Sequence, residues 1–250
     1  ALGLASPKYA HLPLVVNPDR TKMSKRSGST SACEYRSDGY LPEALINFLA
    51  FLGWSPGDNR EFFSLSELVA EFSLDRVGKS PSAFNVDRLD YLNAYYIRNA
   101  NLDRLAELIL ADFWDYQVLG KRPEDMDYFK SVVGLVRERM VKLTDFSTLA
   151  RYFFKSPKFG AQLLVYKKSD KKRALKGLEL VINRLESASA NTWDSIEALH
   201  DMLVFVAKNN SLDNGDVFWP TRVALSGLEA SPSPAELLYV FGRLESLERL

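Results

Sequence analysis

From residue 41 to the C-terminus, apolar residues recur at three- and four-residue spacing, and most of these runs open on a capping residue. That period gathers the apolar side chains on one helix face and commits the chain to burying helix against helix. Leu45, Phe48, Leu49 and Leu52 follow Pro42, whose missing N–H suits a first helical turn, and Gly53 is the expected stop. Ser64 and Glu67 make a capping box, with Phe63 and Leu68 as its hydrophobic staple. Leu102, Leu105, Leu108 and Ile109 mark a further helix, and Val132, Val133, Val136 and Met140 the next. Thr144 is the expected N-cap of a segment reaching Phe154. Ser169 is expected to cap a helix whose apolar face is Leu175, Leu178, Ile182 and Leu185. Thr192 is expected to cap one carrying Ile196, Leu199 and Leu203. Ser233-Pro234-Ala235-Glu236 is the strongest start signal, combining N-cap, Pro at the first position and Glu at the third. Its helix carries Leu237, Leu238 and Phe241 and is expected to end at Gly242.

The first 40 residues read differently. Leu12 to Val16 is rich in β-formers and is closed by the turn signal Asn17-Pro18-Asp19; Pro13 confines it to a sheet edge or a strand start. Residues 20–31 are polar and rich in Ser, Lys and Arg, which predicts an exposed, mobile loop.

Charge is balanced in total, with 32 basic and 32 acidic residues, but unevenly placed. Residues 151–176 hold nine basic groups and one acidic, a local excess of +8, whereas residues 41–150 and 177–250 are net acidic. A dense basic segment suits a surface offered to a polyanion, and equally a solvated helix face. One cysteine, Cys33, excludes an internal disulfide and a cysteine cluster for zinc. His11 and His200 lie far apart and outside any H-E-x-x-H frame, so no metal ligand set is expected. No apolar run reaches the roughly 20 residues of a membrane span, so no membrane partner is expected.

Gly78-Lys79-Ser80 looks like the end of a P-loop, but the frame needs Gly where Ser73 stands, so it is rejected. Lys22-Met23-Ser24-Lys25-Arg26-Ser27-Gly28 remains. Its three cations fall within five residues, and lysines on long stems can converge on one polyphosphate and stabilise charge developing on its oxygens.

Lys-Met-Ser-Lys-Arg resembles the second signature of class I aminoacyl-tRNA synthetases. Around it, His11-Leu12-Pro13-Leu14, Gly39-Tyr40-Leu41-Pro42-Glu43-Ala44-Leu45 through Leu52-Gly53-Trp54, and Phe84-Asn85-Val86-Asp87-Arg88-Leu89 resemble bacterial-type glutamyl-tRNA synthetase. So do Glu138-Arg139 with Leu143, Arg222 to Gly227, and Ser231-Pro232. The ordered series runs from end to end and is far more specific than the signature alone.

The resemblance implies a mainly α fold: the end of a class I, Rossmann-like catalytic domain (1–21), the KMSKR loop and stem-contact region (22–95), then an all-α anticodon-binding cage in two helical subdomains (96–165 and 166–250). It implies glutamate–tRNA ligase activity, with ATP and Mg2+ used by a parent chain and tRNA(Glu), ATP and glutamate as partners. Lys22 and Lys25 would be catalytic, and Lys22, Met23, Ser24, Lys25 and Arg26 would contact ATP. Arg137, Arg139, Arg222, Ser231 and Pro232 would contact tRNA. Phe218, Trp219 and Tyr239 would either stack on bases or serve the core. A monomer in a bacterial cytoplasm or an organelle is implied. The His-x-Gly-His signature that such enzymes also need is absent, so the expectation is the C-terminal half of a protein about twice as long, inactive alone. Two rival readings are a tRNA-binding module without catalysis and a glutaminyl-tRNA synthetase. The latter needs β-barrels, and alternating strands are absent after residue 95.

Overall fold

The computed structural model describes residues 8–23 and 31–250. Strands β1 (Val15–Val16) and β2 (Ser82–Ala83) are short. The α-helices are α1 (Ala32–Ser37), α2 (Pro42–Ala50), α3 (Leu65–Glu71), α4 (Val86–Asn99), α5 (Leu102–Asp112), α6 (Met126–Val136), α7 (Phe146–Leu149), α8 (Arg151–Phe154), α9 (Lys171–Glu186), α10 (Ala190–Trp193), α11 (Ile196–Asn209), α12 (Asn214–Ser226) and α13 (Pro234–Arg249). The mainly helical expectation holds. Among the described residues no helix is long and apolar enough to cross a membrane. The chain divides into two compact units: residues up to Ala100 with Met140–Thr144, and Asn101–Arg139 with Asp145–Leu250.

In the first unit, β1 and β2 pair in parallel, Val15 opposite Ser82 and Val16 opposite Ala83. The strand expected over Leu12–Val16 shrinks to its last two residues. Pro13 has no N–H for a ladder, and Leu12 and Leu14 stand exposed. A core of Tyr35, Tyr40, Phe48, Phe84, Leu89 and Leu92 joins α1, α2 and α4. The staple expected at α3 is present: Ser64 and Glu67 cap reciprocally, and Phe63 and Leu68 are buried with Trp54. Helix α2 departs from expectation twice. It ends at Ala50 rather than at Gly53, and Leu49 is half exposed. Asn47 takes the inward position, donating to the Glu61 carbonyl at 2.8 Å and accepting from the Phe63 N–H at 3.0 Å. A buried amide with both bonds made is tolerated where a bare one would be costly. Asn93 does the same at the end of the unit. It accepts from the Leu41 N–H at 2.8 Å and donates to the Val141 carbonyl at 2.6 Å, seating Met140–Thr144. Gly39, at φ +91, lets that segment close in, since a Cβ there would stand 2.7 Å from the Leu143 nitrogen.

In the second unit, α5 pairs with α6, and Trp114, Phe129, Phe146 and Phe154 cluster beside them. Helices α9, α11 and α13 surround α12. Pro220 lies inside α12 and cannot donate to the Asp216 carbonyl. At that carbonyl α9 makes its approach through Gly177, where a Cβ would sit 2.0 Å from the Asp216 oxygen. Several expected helix starts are displaced. Thr144 does not cap: its hydroxyl donates to the Asp38 carbonyl at 3.2 Å, and the segment breaks into a 3-10 turn, α7 and α8. Asp170, not Ser169, caps α9, because the Ser169 hydroxyl is taken by the buried Asp216 carboxylate. The buried stripe of α9 runs through Ala174, Gly177, Leu178, Val181 and Leu185, so Leu175 lies exposed. Thr192 falls inside α10, and Ser195 caps α11. The Ser233–Glu236 capping box of α13 is as expected, but Gly242 kinks the helix rather than ending it. Arg249 holds the far end by donating to the carbonyls of Tyr152 at 2.6 Å and Leu225 at 3.0 Å.

Candidate functional site

The residues on either side of the basic segment 24–30 pack into the core of the first unit. After β1, Asp19 accepts from the Thr21 hydroxyl at 2.6 Å and its N–H at 2.9 Å, which holds the Asp19 carboxyl below its ordinary range. Arg20 takes a left-handed conformation at φ +66, and the Asn17 N–H donates to the Thr21 carbonyl at 2.8 Å. This tight turn folds the chain back, so Lys22 bridges antiparallel to Val16 while its side chain stays exposed. Met23 then packs against the aromatic core. Beyond the loop, Ser31 and Glu34 cap α1 reciprocally, and Tyr35 is buried in the same core. The Ser31–Glu34 pair is a capping signal in the sequence, and α1 begins directly after it, where the polar composition up to residue 31 predicts only a loop. Ser24, Lys25 and Arg26 lie outside the described residues.

A cleft of about 740 Å³ opens in the second unit, walled by Val136 at the end of α6 and Arg139 in the 3-10 turn after it, by α8 with residues 155–158, and by the connection from α12 to α13. Arg139, Ser231 and Pro232 line it, as do Arg151, Lys155 and Lys158. The lining thus carries four cationic side chains and no carboxylate, histidine or cysteine. Such a lining offers positive charge and hydrogen-bond donors, not acid–base chemistry. Arg139 is exposed, and its Nη2 donates to the Ser231 carbonyl at 3.4 Å.

The α12–α13 connection is shaped by two residues. Gly227 ends α12 at φ +72, and a Cβ there would lie 2.6 Å from that of Pro157. The buried Ser226 hydroxyl bonds the Arg222 carbonyl at 2.8 Å and meets the Ser231 hydroxyl at 3.2 Å. Lys155 is held on the opposite rim by the Gln117 carbonyl at 2.7 Å. Beneath the rim, burial pushes the Tyr152 phenol well above its ordinary pKa.

Arg222 is not on the wall. It projects from α12 near Arg139. Burial draws its guanidinium down from the ordinary value, the Arg139 charge adds to that, and Glu236 offsets part. Its Nε is buried with no hydrogen-bond partner among the described residues. Arg137 is not on the wall either; its Nε lies 3.8 Å from Glu138. The structure therefore brings Arg139, Ser231 and Pro232 together, sets Arg222 beside them and leaves Arg137 apart. Of the aromatic candidates, Trp219 donates from Nε1 to the Leu163 carbonyl at 2.8 Å and packs on Tyr166. Phe218 meets His200 edge-on, and Tyr239 is exposed; none of the three lines the cleft. Lys155 and Lys158 were not singled out from sequence, although both fall in the +8 segment.

Residues 1–91 match the family model of the class I tRNA synthetases (E and Q), catalytic domain, and residues 102–250 match that of the anticodon binding domain. The whole chain is 38% identical to half of the glutamate–tRNA ligase of Heliobacterium modesticaldum. It is 35% identical to 51% of glutamate–tRNA ligase 2 of Thermoanaerobacter pseudethanolicus. A crystal structure of a glutamate tRNA ligase from Elizabethkingia meningosepticum superposes with a TM-score of 0.81 at 26% identity, over 99% of this chain and 51% of that one. The chain thus spans about half the length of the curated relatives it matches. With residues 102–250 matching the one model and 1–91 the other, the chain belongs to the anticodon binding domain family of the tRNA synthetases and is homologous to bacterial glutamate–tRNA ligases.

Proposed function

We propose that this chain is the part of a glutamate–tRNA ligase that supplies the KMSKR loop and reads the anticodon. In the reaction proposed, the glutamate carboxylate attacks the α-phosphate of ATP, giving glutamyl-adenylate and pyrophosphate. The terminal hydroxyl of tRNA(Glu) then takes the glutamyl group and releases AMP. Lys22 and Lys25 are assigned to the phosphates, with Met23, Ser24 and Arg26 completing the loop. The seating of Met23 and Tyr35 on one core supports this, since fixing the residues that flank a charged segment lowers the entropy lost on gripping a ligand. Mg2+ would accompany ATP in such a reaction. Among the described residues there is no group of three or more His, Cys, Asp or Glu side chains placed to hold a metal ion.

The observation that carries the anticodon reading is the cleft where Arg139, Ser231 and Pro232 converge, whose only charged lining residues are cationic. RNA loops are read by splaying bases into such clefts, where arginine forks pair with base edges. Arg222 is assigned to the same role from beside the cleft and Arg137 to a flanking contact. The stem-contact role of residues 22–95, the division of the second unit near residue 165, a monomeric state and a cytoplasmic location belong to the same proposal. The test is equilibrium binding of the chain to a tRNA(Glu) transcript and to one with its anticodon replaced. The cognate should bind at least about tenfold tighter, the discrimination expected of one good base contact; equal affinity overturns the reading. A second reading, a tRNA-binding module without catalysis, describes the 250 residues alone if they give no ATP–pyrophosphate exchange.

A further inference from the structure

The apolar stripe of α3 is mostly unburied. Leu65, Leu68, Val69 and Phe72 fall at the three- and four-residue spacing that gathers side chains on one helix face. Such a stripe ordinarily faces a core. Here only Leu68, at its edge, is buried, against Trp54 and Phe63. Leu65 is 57% exposed, Val69 76% and Phe72 45%, and Leu74, in the turn that follows, is 59% exposed. More than half of the exposed large apolar side chains among the described residues lie between Tyr9 and Tyr91, a stretch matched by the catalytic domain model.

The face connects to the segment ahead of β1. The Phe72 ring packs on Trp54, with centroids 5.8 Å apart, and Trp54 bridges Val77. The neighbouring Gly53, at φ +153, accepts from the Gly78 N–H at 2.7 Å through its carbonyl. Pro13 closes on that same glycine, since a Cβ there would lie 2.5 Å from the proline Cγ. Leu12 and Leu14, on either side of Pro13, are exposed as well. Glu67 and Asp75 border the face and make no ion pair among the described residues. Apolar surface edged with unpaired acid repels polyanionic RNA and anionic lipid. A second copy docked by two-fold symmetry would set these acids against themselves.

We infer that Leu65, Val69, Phe72 and Leu74, with Leu12 and Leu14, form an internal docking surface for the remainder of the class I catalytic domain. The relatives carry about as much chain again as this one spans, and the part of their catalytic domain found here is the unit whose apolar surface is left open. The unit bearing Lys22 is then held to the rest of that domain by a packed face and not by chain connection alone. The inference rests on the proposed reading of the chain as part of a glutamate–tRNA ligase.

The test is hydroxyl-radical footprinting, read by mass spectrometry, of the 250-residue chain and of a full-length glutamate–tRNA ligase carrying it. Leu65, Phe72 and Leu74 should be labelled readily in the chain and several-fold more slowly in the longer protein, with no RNA present. Val69→Asp should leave the melting point of the chain within a few degrees, as expected at an exposed site. In the longer protein it should raise the opening of α3 at least about tenfold, read as hydrogen exchange, because an unpaired carboxylate is costly to bury. Val69→Ile should leave both unmoved. Where the Val69→Asp form of the longer protein fails to fold, the wild-type footprints decide. Equal labelling in the two proteins overturns the inference. Shielding that appears only on adding tRNA gives the face to RNA and overturns it too, as does slow labelling of the chain alone that quickens on dilution, the mark of a second copy. A longer protein that shields the face yet forms no glutamyl-tRNA(Glu) sinks the ligase reading and leaves the docking surface standing.

Discussion

The guanidinium of Arg139 reaches across 92 residues of sequence to donate to the carbonyl of Ser231, at 3.4 Å, and so joins the turn after α6 to the connection before α13. The bond is long and solvent-facing, so it orients the arginine without consuming it. The remaining N–H groups stay available to a ligand in the cleft.

Removing that side chain should therefore affect recognition more than folding. Arg139→Ala is expected to weaken binding of the tRNA(Glu) transcript about tenfold or more and to narrow the gap between cognate and altered anticodons. Thermal melting should shift by no more than a few degrees, because the residue is exposed. Fluorescence anisotropy beside a melting curve checks both halves.

In a full-length glutamate–tRNA ligase carrying this chain, Lys25→Ala should cut adenylate formation at least about tenfold, the loss expected when a charge-stabilising donor is removed. Affinity for tRNA should stay nearly unchanged. tRNA-dependent ATP–pyrophosphate exchange is the measurement, and an unaltered rate removes the loop from the chemistry.

Gly227 brings α12 close to Pro157 on the wall of the cleft. Gly227→Ala places a side chain at φ +72 and 2.6 Å from the Cβ of Pro157. A loss of about 1–3 kcal/mol is expected from backbone strain and the contact together. Urea unfolding should show it as a lowered midpoint at unchanged slope, with RNA binding reduced as the wall shifts.

Acid sensitivity should trace to Asp216. Desolvation pushes this buried carboxyl up. Bonds from Arg173, from the Ser169 hydroxyl and from the Asp213 N–H outweigh it and hold the group below the ordinary carboxylate range. A group whose folded value is depressed stabilises the fold above its unfolded value, near about 4, and loses that contribution as pH falls through the folded one. Asp216→Asn should thus cost stability at neutral pH, about 2–3 kcal/mol once the partial exposure of Arg173 is allowed for. It should also flatten the decline below about pH 4, followed by chemical denaturation across pH.

Much of this was legible in the residues. The caps at Ser64 and Ser233 were, because a capping box is a local contract between residues three apart. The failures share one cause. Ser169, Thr144 and Leu175 had the right local chemistry for the roles assigned to them, and each was diverted by a partner distant in sequence: Asp216, Asp38 and the Gly177 crossing. The cleft was half legible. Resemblance picked out Arg139, Ser231 and Pro232, but Lys155 and Lys158 join them only because Gly227 lets Pro157 approach.

By itself, then, the sequence determined a helical protein, a run of cations after a short strand and a dense basic segment, since period, caps and charge are properties of neighbours along the chain. Only tertiary structure decided which cations share a cleft, which are paired off by Asp213 and Asp216, and which lysines are left facing solvent. Those outcomes depend on close approaches at Gly177 and Gly227, where the absence of a side chain lets segments 39 and 70 residues distant meet.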